Sequence, residues 1–304
     1  MIAPGAVTIA LVGSGEFNQE TPMKRPFLVF GFVVAAGALA CSLSVNVPQA
    51  DTGDVQVLTI DEPLPAEGTV VEVEINLGGG TLDLAGGASG LAEGSIRFNV
   101  EDWRPRVSRS EASLVIEQGD PDTALSFGDD VVNDWSLRLG NVPMELTIQA
   151  GAYSGLMDLS GLPLRRLTVN DGASDARLSF SSPNPAEMQS LAYRTGASTV
   201  SLTGLGYANF ADMTFGGGAG TYTLDFGGEL RRDATVNIET GVSSVRIEVP
   251  EGTAAVVVVD GALNNVEAIG GWSQEGDTYR LAGLGPTLRI FVDMGVGSLT
   301  LVEE

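Results

Sequence analysis

An all-β fold, a parallel β-solenoid of short stacked coils, is what this sequence predicts, and three observations predict it. Glycine is very frequent, at 40 of 304 residues. Aromatic residues are only 6% of a chain that is 43% hydrophobic, so its cores are aliphatic. A marker glycine also recurs through the middle of the chain with similar residues around it. Frequent turns between short aliphatic runs suit strands better than long helices.

The recurring unit is clearest between Trp135 and Val249. Five segments share an alternating strand, a glycine and a small or β-branched residue: Leu146-Thr-Ile-Gln-Ala-Gly151-Ala, Leu167-Thr-Val-Asn-Asp-Gly172-Ala, Leu191-Ala-Tyr-Arg-Thr-Gly196-Ala, Met213-Thr-Phe-Gly-Gly-Gly218-Ala and Val236-Asn-Ile-Glu-Thr-Gly241-Val. The glycines are 21, 24, 22 and 23 residues apart. Period-2 alternation puts Leu146 and Ile148, or Val236 and Ile238, on one buried face. The strands after each glycine match as well, as in Leu178-Ser-Phe180, Leu224-Asp-Phe226 and Val245-Arg-Ile-Glu-Val249. A period of this length means stacked units, none able to bury its apolar face alone. The glycines belong where the chain turns a corner and needs positive φ or close approach. An antiparallel sandwich is the alternative, but a sandwich has no need of a position-locked glycine.

The remaining elements follow in order. Residues 1–40 read as an upstream stretch and a signal peptide. Met23-Lys24-Arg25 is basic, Phe27 to Leu39 is uncharged and apolar, and Ala38-Leu39-Ala40-Cys41 resembles a lipobox, which makes Cys41 the lipidation site and Met23 the expected true start. An unmodified Cys41 thiol after a cleaved signal and an uncleaved anchor are the alternatives. Residues 41–67, with Pro48, Pro63 and Pro65, read as a tether. Residues 68–134 read as a smaller N-terminal β subdomain with strands at Val70–Leu77, Thr81–Leu84, Ile96–Val100 and Leu114–Ile116, and residues 135–304 as the solenoid.

Charge and composition exclude several functions. The formal net charge is −23, which repels nucleic acid. The chain has no histidine, so histidine-dependent acid–base catalysis, Ser-His-Asp triads and histidine zinc sites are excluded. A single cysteine excludes an intramolecular disulfide. No complete phosphate-binding glycine motif or nucleophile elbow occurs.

Two carboxylate sets remain as candidates. Asp83, Asp158 and Asp225 each lie between apolar strand residues, so alternation turns them outward as ligand-binding or calcium-binding groups. An acid–base pair would require Asp158 and Asp225 within ~10 Å of each other in a cleft. Asp120, Asp122, Asp129 and Asp130 form an acidic loop, a calcium candidate without EF-hand spacing. Solvated side chains are the plainer reading of both sets. Trp103, Trp135 and Trp272 suit either a sugar-stacking platform or the covering of coil ends.

At this point a resemblance is visible. Gly78-Gly-Gly-Thr-Leu-Asp-Leu84, Leu91-Ala-Glu-Gly94 and Val107 to Ile116 resemble the N-terminal domain of the bacterial toast-rack family. Asn133-Asp-Trp135, Met157-Asp-Leu-Ser-Gly-Leu162, Gly172-Ala-Ser and Gly218-Ala-Gly-Thr-Tyr-Thr-Leu-Asp-Phe226 resemble the C-terminal region of LiaF-like, cell-wall-active antibiotic response proteins and the adhesin-like β-solenoids. The resemblance implies an envelope-associated interaction module and brings no catalytic residues. The expectation is a non-enzymatic lipoprotein on the outer face of the membrane, adhesin-like or scaffolding, with an envelope protein or glycan as partner. A polysaccharide-active β-helix enzyme and an envelope-stress regulator with a membrane partner are the alternatives.

Overall fold

The structure, a computed structural model, describes residues 51–119 and 130–304, with side chains throughout except at 262–264. The signal segment, Cys41 and residues 41–50 of the expected tether lie outside the described residues. The compact unit Pro48–Glu304 is built on one sheet of fifteen strands. The strands are β1 (Gln56–Glu62), β2 (Val71–Ala88), β3 (Ala92–Phe98), β4 (Arg106–Arg109), β5 (Ser113–Glu117), β6 (Asn133–Gly140), β7 (Met144–Asp158), β8 (Leu164–Ser179), β9 (Met188–Thr203), β10 (Phe210–Asp225), β11 (Ala234–Val249), β12 (Ala254–Ile269), β13 (Ser273–Glu275), β14 (Thr278–Leu281) and β15 (Thr287–Glu303).

Eight of these are long rungs stacked in parallel in the order β2, β7, β8, β9, β10, β11, β15, β12. The antiparallel sandwich is thereby set aside. At the usual ~4.8 Å between paired strands the stack runs roughly 34 Å from first rung to last. Equivalent residues form rows along it. Val73, Leu146, Leu167, Leu191, Met213, Val236 and Ile290 make one row, and each is at most 1% exposed. A fully buried aliphatic side chain contributes roughly 1.5–3 kcal/mol, so these rows carry most of the folding energy.

Seven of the eight rungs bend at a marker glycine, and β12 has Ala262 in that register. Alternation holds up to the corner, two consecutive residues such as Gly196 and Ala197 then face solvent, and alternation resumes with Ser198 buried. Gly78, Gly151, Gly172, Gly196, Gly218, Gly241 and Gly295 thus lie in register along one corner, and none of them has positive φ. Their requirement is close approach. A Cβ on Gly218 would lie 2.5 Å from the carbonyl oxygen of Gly196, one on Gly241 2.6 Å from that of Gly218, and one on Gly295 2.7 Å from that of Gly241.

The two ends differ. The outer edge of β2 forks: Glu72–Asn76 pairs with β5, and Thr81–Ala88 with β6. β6, β3 and β1 then continue antiparallel, and β4 closes on β5. β2 is therefore a rung of the stack and part of the N-terminal cap at once, and the stacking runs through the boundary expected near residue 134. β1 lies in the stretch expected as tether. Its Leu58 and Ile60 alternate onto the core, with Ile60 only 2% exposed, and this pattern outweighs the flanking prolines. At the other end β15 inserts between β11 and β12, leaving β12 outermost with the β13–β14 hairpin against its first half.

Gly218→Ala is expected to cost about 2–3 kcal/mol, as overpacking against backbone does. Gly216→Ala, in the same strand but with only Arg194 Cγ at 3.7 Å, should stay within about 0.5 kcal/mol of the parent. Urea denaturation of the pair measures both.

Candidate functional site

The structure places Asp158 and Asp225 on one row, with Ser179 and Thr203 on the rungs between them. Three rung spacings put their backbones roughly 14 Å apart, beyond the separation an acid–base pair requires. Both carboxylates are occupied by their own corners. Asp158 Oδ1 accepts from the Ser160 amide at 3.1 Å and from the Ser160 hydroxyl, which also contacts Ser181 Oγ at 2.8 Å. Asp225 accepts from the Gly227 amide at 2.6 Å and from the Gly204 amide of the preceding rung at 3.1 Å. Gly204 has φ 69°, so a left-handed turn is clipped to the next coil by a carboxylate.

Asp83 is on a different row, opposite Leu156, and pairs with Arg138 at 3.0 Å. Both side chains are close to half exposed, so the pair adds little. Asp120, Asp122 and Asp129 lie outside the described residues. Asp130 is exposed, and its main-chain carbonyl accepts from Asn99 Nδ2 at 2.7 Å. Among the described residues no group of three or more carboxylates or thiols converges as metal ligands. Trp103 and Trp135 are each 1% exposed inside the cap, with Trp135 Nε1 donating to Asn133 Oδ1 at 2.9 Å, and Trp272 is partly buried against the core. The tryptophans thus form no sugar-stacking platform. No helix among the described residues is long and apolar enough to cross a membrane.

The polar chemistry gathers elsewhere, behind the glycine corner. Asp171 points inward from β8 and accepts from the Tyr193 hydroxyl at 2.8 Å and from the Thr195 hydroxyl. Ser198 Oγ lies beside it and accepts from the Ser174 amide at 2.9 Å. Tyr153 and Tyr193 are at most 5% exposed. Burial first, then the neighbouring tyrosine and the Asp171 carboxylate, push the Tyr193 hydroxyl well above the usual tyrosine value of 10.0. Burial and Asp171 do the same to Tyr153. The Tyr153 and Tyr222 hydroxyls have no hydrogen-bond partner.

Just outside this corner lies an open groove of about 700 Å³. Its floor is the amide row Asn76, Gln149 and Asn170, on three successive rungs. Arg106, Glu117 and Gln118 of the cap form one wall, and Asp171 also lines it. Asn76 Nδ2 and Gln149 Nε2 both donate to Glu74 Oε1, at 2.9 and 3.0 Å. Gln118 Oε1 accepts from the Gly78 amide at 2.9 Å and from Asn133 Nδ2 at 2.8 Å. Asn76 Oδ1 and Gln118 Nε2 are left without partners. The reading of the sequence missed this site. Its signal was an amide two residues before three of the marker glycines.

Comparison with known proteins bears on the region that holds the groove. The model of the N-terminal domain of toast-rack proteins matches residues 49–190. Residues 49–190 belong to the toast-rack family. The toast-rack domain spans the cap, β2, β7, β8 and the first residues of β9, so the groove lies wholly within it. A comparison with curated proteins finds no match. Among solved structures the chain is similar to a candidate cell adhesion protein from Clostridium sporogenes, at 18% identity and a TM-score of 0.46, over 83% of this chain and 99% of the other. It is also similar to a candidate adhesin from Bacteroides fragilis, at 11% identity and a TM-score of 0.32, over 84% and 99%. A candidate lipid binding protein from Parabacteroides distasonis follows, at 8% identity and a TM-score of 0.30, over 83% and 98%.

The buried tyrosines predict alkaline sensitivity. Their folded pKa values lie above the unfolded value near 10, so the stabilisation they give is complete below pH 10 and is lost as pH rises from there toward the folded values. Urea midpoints taken from pH 8 to 11 should fall above pH 10. Tyr193→Phe should flatten that fall while lowering stability at pH 8 by about 1 kcal/mol, because Asp171 loses a donor.

Proposed function

We propose that the chain is a non-enzymatic, adhesin-like interaction module of the cell envelope, held at the outer face of the membrane through a lipid on Cys41. The observation that carries this reading is the use made of the outward carboxylates. Asp158 is engaged by Ser160 of its own turn, Asp225, three rungs away, clips its turn to the preceding coil, and Asp83 is paired with Arg138. That supports a structural role for them. What the fold offers in their place is area: eight parallel rungs with long outward rows and one amide-lined groove. Extended stacks of this kind suit contact with large partners. The net charge of −23 favours a partner that is neutral or basic.

The test is made on intact cells with the full chain. Cys41→Ser should shift the protein from the membrane to the soluble fraction. Cross-linking followed by capture should recover the same envelope component with the parent and with Asp158→Asn or Asp225→Asn. Shortening of a polysaccharide by the purified protein, lost in either aspartate variant, would overturn the reading in favour of an enzyme.

A further inference from the structure

We infer that the groove between the cap and the glycine corner of β2, β7 and β8 is a binding site for a neutral glycan chain, a refinement that rests on the interaction-module reading above. Two amide groups of the lining have a fixed orientation. Gln118 Oε1 is committed to the donors Gly78 N and Asn133 Nδ2, so the opposite end of the amide, Nε2, must be a donor and has no acceptor. Asn76 Nδ2 is committed to the Glu74 carboxylate, so Asn76 Oδ1 must be an acceptor and has no donor. Both atoms are buried within residues that line the groove, so a ligand that seats there and meets this deficit must be able to accept and to donate. Hydroxyl groups do both.

The surroundings narrow the class further. Glu117 and Asp171 present carboxylate oxygens, which accept from hydroxyls and repel anions, against the one guanidinium of Arg106. Asp171 is held by Tyr193 and Thr195 from behind, so it needs little ordering when a ligand arrives. The floor is periodic. Asn76, Gln149 and Asn170 stand side by side on consecutive rungs, ~4.8 Å apart, so an extended ligand lying along the stack meets an amide at each step. The groove presents strand faces, and a peptide adding to a sheet would need a strand edge. No aromatic ring lines it, so affinity comes from hydrogen bonds and is expected on the order of 1 mM.

The experiment is a titration of the full chain with cellotetraose and with chitotetraose, followed by saturation-transfer NMR, with tetragalacturonate as the anionic counterpart. At least one neutral tetrasaccharide should bind saturably, and tetragalacturonate at least about tenfold more weakly. Gln149→Ala and Asn170→Ala should each weaken the neutral ligand at least about tenfold without moving the urea midpoint. Either variant suffices to decide if the other is unstable. No saturable binding of either neutral sugar, equal binding of tetragalacturonate, or binding undiminished in the variants would overturn the proposal. The two readings part cleanly. An envelope component still captured by the groove variants leaves the interaction module standing and removes the groove from it. Shortening of a bound tetrasaccharide keeps the groove and overturns the non-enzymatic reading.

Discussion

The structure depends on one close approach, the passage of each corner glycine over the carbonyl of the corner glycine before it. Parallel strands in register must sit ~4.8 Å apart to satisfy one another's amides and carbonyls. Where the chain turns, that spacing leaves no room for a side-chain carbon pointing along the stack. On Gly172 a Cβ would come within 2.8 Å of the Gly151 carbonyl oxygen, and the same conflict recurs rung after rung. Because the corner is fixed at a residue and not merely at a region, the rows on both sides of it are fixed too. The aliphatic rows of the core, the hydroxyls behind the corner and the amide row in front of it all inherit their register from this contact.

The space behind the corner shows how tightly that constraint is felt. Each rung has two inward positions there, one before the corner residue and one after. Thr240 and Ser243 fill it in β11 by bonding to each other at 2.8 Å, and both are under 9% exposed. β10 has Gly217 and Gly220 at those positions, and the Tyr222 ring occupies the volume so released. A Cβ on Gly217 would lie 2.5 Å from that ring. Tyr222 in turn packs edge-on against Phe215, with centroids 5.0 Å apart, and Phe215 stacks on Tyr193 at 5.8 Å. In β7 the same exchange pairs Tyr153 with Gly155. Tyr222 and Tyr153 thus stand where neighbouring residues have given up their side chains, and Tyr193, stacked in the same cluster, supplies a hydroxyl donor that the inward carboxylate of Asp171 must have.

How much of this was legible depends on how local the cause is. The period, the corner and the parallel stacking follow from residues repeated within each coil, so Leu146, Ile148 and Gly151 announce them directly. Asp225 was placed on an outward strand position, but its partners are the amides of Gly204, a coil away, and Gly227, held by turn geometry that alternation does not describe. β1 was obscured because Pro63 and Pro65 dominate its neighbourhood, while its partner β3 lies more than thirty residues downstream. The insertion of β15 between β11 and β12 reverses the chain order, and its one local trace is that β15 carries the corner glycine, Gly295, where β12 has Ala262 in register. The groove was legible only in part. The amide row is visible once the repeats are aligned on their glycines, whereas Gln118 and Arg106 arrive there through the folding of the cap.

That insertion bears on the oldest difficulty of a parallel stack, which is how to stop. An outermost rung presents a row of unpaired backbone groups, a template for further strands. At the N-terminal end the stack changes direction, from parallel β2 and β6 to antiparallel β3 and β1, and the last strand carries Asp61 and Glu62. At the C-terminal end the order of the chain itself supplies the stop. With β15 placed inside, β12 is the outermost long rung, and the chain that follows it folds back as β14 onto Ala255–Val258. Beyond Val258 no strand among the described residues pairs with β12 on that side, and there the strand carries Asp260 and Glu267. Charge thus stands along the part of the edge that the hairpin does not reach, the arrangement by which edge strands resist further pairing. The same acidity that limits end-to-end growth leaves the faces and the groove as the surfaces on which a rod of this kind makes its contacts.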